Sequence, residues 1–291
     1  MTTANPAAPA QETIQKKGVN YAKLWYKYKS VAIGGFMFLV IVFVAVFAPQ
    51  IATHDPAKMS MRQSLNPPSA EHLCGTDEFG RDVFSRIVYG ARISLSISLS
   101  VLVIIGILGT VLGLLAGYYA LADTIIMRIM DGLMAFPTVI LALVILTILG
   151  SGIPNIVLAL SISQIPRVVR TVRTTVISAK QFEHVEAARA MGASNARIMF
   201  KYILPLCFSP LIVRLTLTMA LTVLNEASLT FLGVGLSPDT PSWGTILSEA
   251  RQHVSTSPYL IFLPGLAILW SVLSLNTLGD GLRDVLDPRL G

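Results

Sequence analysis

Long apolar runs separated by short polar segments set the organisation of this chain. The first run, residues 31–52, has 22 residues, enough to cross about 30 Å of hydrocarbon as a helix. Runs at 93–119, 124–149, about 206–232 and 259–278 are of similar length and also read as membrane spans. The stretch from 150 to 178 differs: only 156–166 is cleanly apolar, and Arg167, Arg170 and Arg173 then line one helical face. So short a run would suit a re-entrant segment. That would put the basic loop after it on the same side as 150–155, so the segment is read as a fourth span kinked near Pro166. The pattern therefore predicts an all-α membrane protein with six transmembrane helices.

Details within the runs refine this picture. Serines at 94, 96, 98 and 100 alternate as in a strand, but a lone strand cannot satisfy its backbone inside a bilayer, so helix is expected. Gly106, Gly109, Gly113 and Gly117 recur at steps of three and four, a small-residue stripe against which another helix can pack closely. Arg128 and Asp131 lie three apart in the third run and can pair on one face. Asp131, Gln164, Arg214, Asn225 and Glu226 are the polar groups within spans, and such groups are candidates for a translocation path. Arg214, nine residues beyond Pro205, must snorkel, pair or face water.

The polar segments fall at 1–30, 53–92, 178–205 and 279–291. Residues 1–20 have a disordered composition, and Trp25, Tyr26 and Tyr28 are placed for an interfacial belt. In 53–92, Thr76 or Asp77 is expected to cap a short amphipathic helix. Asp77, Glu78 and Asp82 invite a metal reading, but their spacing is not that of a calcium loop. In 178–205, residues 183–191 favour helix, Gly192 can end it in the left-handed region, and Ser194 can cap a second short helix through Lys201. Pro205 suits the first turn of the span that follows.

Composition agrees with a membrane protein: 53% of residues are hydrophobic and 13% charged, against about 25% charged in soluble domains. Net charge is +6 without a basic-aromatic cluster, which argues against nucleic acid as a partner. With the N-terminus in the cytoplasm, fifteen Lys and Arg fall inside and six outside, with Arg214 in a span. The contrast that decides is seven basic residues from Arg167 to Lys201 against none in 150–155, which puts 178–205 on the cytoplasmic side. Cys74 and Cys207 fall on opposite sides and are not expected to pair. There is no phosphate-cradling G-x-x-x-x-G-K-[ST], no H-E-x-x-H and no G-x-S-x-G, so neither an ATPase nor a membrane-embedded hydrolase is supported. An ion-coupled secondary transporter is a weaker alternative, since no internal repeat is evident.

Five stretches carry a family resemblance. Glu186-Ala187-Ala188, then three residues, Gly192, and later Leu204-Pro205 resemble the cytoplasmic EAA loop of binding-protein-dependent ABC importers, with Tyr202 where that pattern has Ile and Ile203 beside it. Residues 75–92, GTDEFGRDVFSRIVYGAR, match GTDxxGRDxxSRxxxGAR at every fixed letter, a signature of the C-type permease of dipeptide, oligopeptide and nickel importers. DGLMAFP at 131–137 and SPDTPSWG at 237–244 resemble further family regions, as does the tail from 279 to 291.

The resemblance implies a type I importer architecture, with both termini cytoplasmic in the inner membrane of a bacterium or archaeon. Residues 93–278 would form the permease domain proper, preceded by the first helix at 31–52. It implies a B-type permease as heterodimer partner, two ATPases beneath and a substrate-binding protein above. ATP and Mg would be used by the ATPases, with no cofactor on this chain. Glu186, Ala187, Ala188, Gly192, Leu204 and Pro205 would couple to the ATPase, and Pro238, Pro241 and Trp243 would meet the binding protein. The implied cargo is a dipeptide or oligopeptide, with glutathione or nickel as alternatives.

Overall fold

The computed structural model describes residues 21–286, with side chains from Tyr28 onward. The reading of residues 1–20 lies outside the described residues, and the interfacial placement of Trp25 and Tyr26 lies outside the described side chains. What is described is helix and loop, apart from one bridge between Thr76 and Asp82. The helices are α1 (Tyr21–Val46), α2 (Ala48–Ile51), α3 (Val83–Tyr118), α4 (Ala120–Met134), α5 (Thr138–Leu149) and α6 (Ile153–Ala179). They continue with α7 (Glu183–Ala190), α8 (Asn195–Arg197), α9 (Leu204–Phe231), α10 (Trp243–Ala250) and α11 (Tyr259–Leu286).

The expectation of six apolar spans is corrected. Among the described residues four helices are long and apolar enough to cross a membrane, at Tyr28–Val46, Val83–Tyr118, Asn195–Phe231 and Tyr259–Leu286. A fifth is present if α4 and α5 count as one span bent by 91°. The bend falls at Ala135–Pro137, where proline withholds a backbone donor and restricts the residue before it. The 27-residue α6 is long enough but too polar, because its second half carries the three arginines.

Those arginines are held by the acids and hydroxyl of the bent pair. Arg173 makes two bonds to Asp123 (2.5 and 2.7 Å), Arg170 bonds Asp131 (2.5 Å) and Arg167 donates to Thr138 (3.0 Å). Asp131 therefore pairs across helices with Arg170, not within its own helix with Arg128. Between Asp123 and Asp131 the partner on α6 moves only from Arg173 to Arg170, so α4 lies obliquely across α6.

The glycine stripe is where α3 and α6 meet. A Cβ at Gly109, Gly113 or Gly117 would fall 2.7, 2.6 or 2.5 Å from side-chain atoms of Val168, Val172 or Val176, respectively. Both series rise together in steps of four, so α3 and α6 run parallel. Gly106 faces another helix instead, 3.4 Å from Leu215 of α9. The main core gathers here, including Ile105, Leu114, Val168, Val172, Ile203 and Cys207.

Helix α9 runs antiparallel to both. Ser94 reaches Glu226, Gln164 reaches Thr222, and Thr171 reaches Arg214. Helices α1 and α11 form an antiparallel pair in which Gly34 abuts Leu278 and Gly281 abuts Val31. Gly281 of α11 serves this packing, and the helix continues beyond residue 278, the expected end of the span, to Leu286. The bundle has two ends, one carrying α7 and the other carrying residues 53–82 and α10.

Candidate coupling site

The α7 end is built on a fixed scaffold. Phe182 precedes a helix whose Val185 and Ala188 are buried (0 and 1% exposed), with Val185 part of the main core. The opposite face leaves Glu183, His184, Glu186, Ala187 and Arg189 exposed. Gly192 has φ +82°, and Ala193 N–H bonds Ala188 C=O (3.0 Å), a glycine-terminated helix end. Nothing lies within 4 Å of a Cβ built on Gly192, so its backbone angle, and not space, calls for glycine there. Ser194 caps α8 through the Arg197 N–H.

Beyond α8 the chain does not break into a separate short helix. A π-helical turn at Ile198–Ile203 joins α8 to α9 in one rod from Asn195 to Phe231. This wider turn covers the place where Tyr202 stands in for the pattern's Ile. Ile203 takes the buried position (0% exposed) while Tyr202 is half-buried. Leu204 packs on the core, and Pro205 sits exposed in the first turn of α9. Two contacts tie the loop to α3: Tyr118 donates to Asn195 Oδ1 (2.8 Å), and Lys180 reaches the carbonyls of Gly117 (3.4 Å) and Tyr118 (3.1 Å). A cation at those carbonyls suits the negative end of α3. An exposed helix thus stands on a short, well-anchored lever, with Phe182 (45% exposed) and Met191 (79%) at its apolar rim.

At the other end, the 75–92 signature resolves residue by residue. Gly75 (φ +73°) and Gly80 (φ +70°) turn the loop, with Gly80 against the Ser60 carbonyl. Asp77 accepts from the Phe79 and Arg81 N–H groups (both 2.9 Å). Asp82 caps α3 through the Ser85 N–H (2.8 Å). The cap is therefore Asp82, not Thr76 or Asp77, and the expected short helix is continuous with the span behind it. Gly90 lets Trp243 close against α3, where Trp243 Nε1 donates to the Ile87 carbonyl (3.1 Å).

A charge cluster that sequence reading did not find locks this cap to α10. Arg81 and Arg86, both buried, bond the same Glu249 oxygen (2.8 and 2.9 Å), and Asp77 faces both (2.6 and 3.5 Å). Glu249 lies more than 160 residues along the chain, so spacing gave no signal. Burial pushes the Glu249 carboxyl up, against the pull of Arg86 and Arg81. Removing its charge leaves two buried guanidinium groups short of a counter-ion. Glu249→Gln is expected to destabilise the cap by about 3–5 kcal/mol. Breaking the more exposed His253–Glu78 pair (3.1 Å) with Glu78→Gln should cost about 1 kcal/mol or less. Thermal unfolding of the purified protein compares the two.

The remaining candidates are dispersed. Gln164 and Glu226 are fully buried, at Thr222 (2.9 Å) and at Ser94 (2.9 Å) with Thr230 (3.3 Å), respectively. Asn225 is half-buried and Asp131 exposed. Arg214 bonds Thr171 (3.1 Å) and, with Arg283, lines a cavity of about 400 Å³ toward the α7 end. Pro238 is exposed, Pro241 half-buried and Trp243 buried, so the tryptophan is a strut beneath the 237–244 loop, a lip at this end of the bundle, and not part of its surface.

Sequence comparison meets this geometry. Residues 109–291 match the family of binding-protein-dependent transport system inner membrane components. The chain belongs to this family. Residues 26–68 also match the N-terminal transmembrane domain of oligopeptide transport permease C. A putative peptide transport system permease of Brucella abortus is 43% identical over 99% of this chain and 97% of its own length. The di/tripeptide transport system permease of Pseudomonas aeruginosa is 47% identical over 89% and 88%, respectively. A glutathione transport system permease of Escherichia coli is 42% identical over 88% and 84%. This permease is thus a C-type, multi-pass inner-membrane subunit of an ABC importer, a transport component coupled to separate ATPase subunits and not a catalytic enzyme.

Proposed function

We propose that this permease moves dipeptides or short oligopeptides, and that α7 is the element by which ATP-driven motion reaches its spans. The observation that carries the reading is the exposed Glu186–Ala187 face on a helix anchored by Val185 and Ala188. Small residues let such a helix seat in a groove, Glu186 offers a charge, and Gly192 sets the exit turn. Leu204 and Pro205 open α9, the part of the Asn195–Phe231 rod that carries the displacement into the membrane. The complex would hold a B-type permease, two ATPases using ATP and Mg, and a substrate-binding protein resting on the lip near Pro238 and Pro241.

Six crossings fit this reading although at most five of the described spans pass on apolarity. Helix α6 lies parallel to the apolar α3 along three glycine contacts, and its arginines are paired with groups of α4 and α5. The termini and α7 then fall on the cytoplasmic side, consistent with the basic excess there. Residues 93–278 would form the transport domain, with 31–52 as a helix packed beside it. Arg214, in the cavity toward the α7 end, is the best placed of the path candidates, and Gln164 and Glu226 act as polar joints between helices.

The test is uptake of a labelled dipeptide by vesicles containing the whole complex, with glutathione and nickel chelates as competitors. Peptide uptake driven by ATP, together with co-purification of an ATPase pair, is the expected result. Uptake of nickel or glutathione alone would reassign the cargo, and uptake without ATP would remove the ABC mechanism. In the same assay Arg214→Gln should lower uptake without lowering assembly.

A further inference from the structure

Three segments of the cap converge on two imidazoles. His54 follows α2, and its backbone N–H donates to Ser85 Oγ (3.0 Å). His72 sits in a turn closed by Ser69, whose N–H bonds the His72 carbonyl (2.8 Å) and whose hydroxyl accepts the His72 N–H (3.1 Å). Asp82 is the α3 cap. One oxygen of Asp82 faces His72 Nδ1 at 2.9 Å and the other faces His54 Nδ1 at 3.9 Å. The two rings lie 4.7 Å apart. One donor atom from each of the three residues falls within 4.8 Å of the others.

We propose that His54, His72 and Asp82 form a binding site for a divalent transition cation of the zinc class. Two imidazoles and a carboxylate suit such an ion and leave a position for water. Two further observations point to a ligand. His72 is 6% exposed, and its Nε2 is buried with no hydrogen-bond partner, so protein groups satisfy this ring on one side only. The site also borders a cavity of about 320 Å³ whose lining adds two further acids, Asp55 and Glu71, and one lysine, Lys58. Net negative charge around paired imidazoles favours a cation over an anion. A cation here would clip together the stretch after α2, the 69–75 turn and the start of α3, fixing the outer cap in one geometry.

The assembled transporter, purified through a tag without histidine and stripped by chelator, is titrated with zinc(II) alone. Bound metal is measured after gel filtration, and cobalt(II) substitution reports the ligand geometry. Asp82 caps α3 and its variants risk misfolding, so the decisive changes are His54→Ala and His72→Gln, with His253→Ala as control. The expected result is one zinc per chain, a tetrahedral cobalt spectrum, and an affinity lowered about tenfold or more in both variants but unchanged in the control. Absence of stoichiometric zinc in the wild type overturns the proposal. So does wild-type affinity in both His54→Ala and His72→Gln.

Discussion

Replacing Glu186 by lysine is expected to abolish ATP hydrolysis coupled to transport while leaving the chain folded and inserted. Glu186 is exposed on α7, whereas the residues that hold that helix in place, Val185 and Ala188, lie on its other face. Charge reversal therefore leaves the anchoring intact. At a protein interface the same reversal sets like charges together, at a cost of several kcal/mol. Substrate-stimulated ATPase activity of reconstituted complexes should fall about tenfold or more. A second change acts on the backbone alone. Gly192→Val puts a β-branched residue at φ +82°, which such side chains rarely adopt, and should redirect the exit from α7 with a similar loss of coupling. Stimulated hydrolysis at the wild-type rate in both variants would sink the assignment of α7.

The second large effect is structural. Gly113→Val is expected to prevent α3 and α6 from closing, with loss of the folded subunit from the membrane. Even the first atom of a side chain would lie 2.6 Å from Val172 Cβ and 2.9 Å from the Val169 carbonyl oxygen. Relief requires moving one helix away, and overpacking of this kind costs about 1–3 kcal/mol or more. The same displacement would pull Arg170 and Arg173 from Asp131 and Asp123, and Lys180 from the end of α3. A swap distinguishes packing from any other role for the glycine. Gly113→Ala alone should lower the level of assembled complex, and adding Val172→Gly should recover part of it, less about 1 kcal/mol for glycine within a helix. No recovery in the swap would mean that the contact is not what matters.

These two regions also mark how far the sequence could be read. The stripe at Gly106, Gly109, Gly113 and Gly117 was visible as a packing surface because helical spacing alone puts those residues on one face. The identity of the facing helix was not visible, since Val168, Val172 and Val176 look like any apolar positions. The first half of the α7 loop is legible, from helix to glycine turn to serine cap, because each of those devices is local. The second half is not: the π turn at Ile198–Ile203 fuses α8 to the span, and a single added residue per turn leaves no clear mark in composition.

Misassigned partners share one cause, which is that proximity in sequence was the only distance available. Spacing pairs Asp131 with Arg128, three residues away, but its partner is Arg170. Thr76 and Asp77 resemble helix caps, but the loop uses them itself: Thr76 bonds the Gln63 carbonyl and the Asn66 N–H, and Asp77 turns back to Arg81. The Arg81–Arg86–Glu249 lock and the His54–His72–Asp82 cluster join distant segments and were invisible for the same reason. Trp243 resembled a surface residue of a Pro-rich lip, yet the glycine that admits it to α3, Gly90, lies 153 positions earlier.

The most direct test of the central claim is a cross-link from α7 to the ATPase. Ala187 is exposed, so Ala187→Cys should disturb little, in a chain where the buried Cys207 and half-buried Cys74 are replaced by alanine. In membranes containing the complete transporter, a short thiol-directed cross-linker should join Ala187→Cys to an ATPase subunit, with a yield that changes when ATP is bound. A membrane-impermeant thiol reagent added to intact cells should leave the same position unmodified. No cross-link to an ATPase, or modification of this cysteine from outside the cell, would contradict the account.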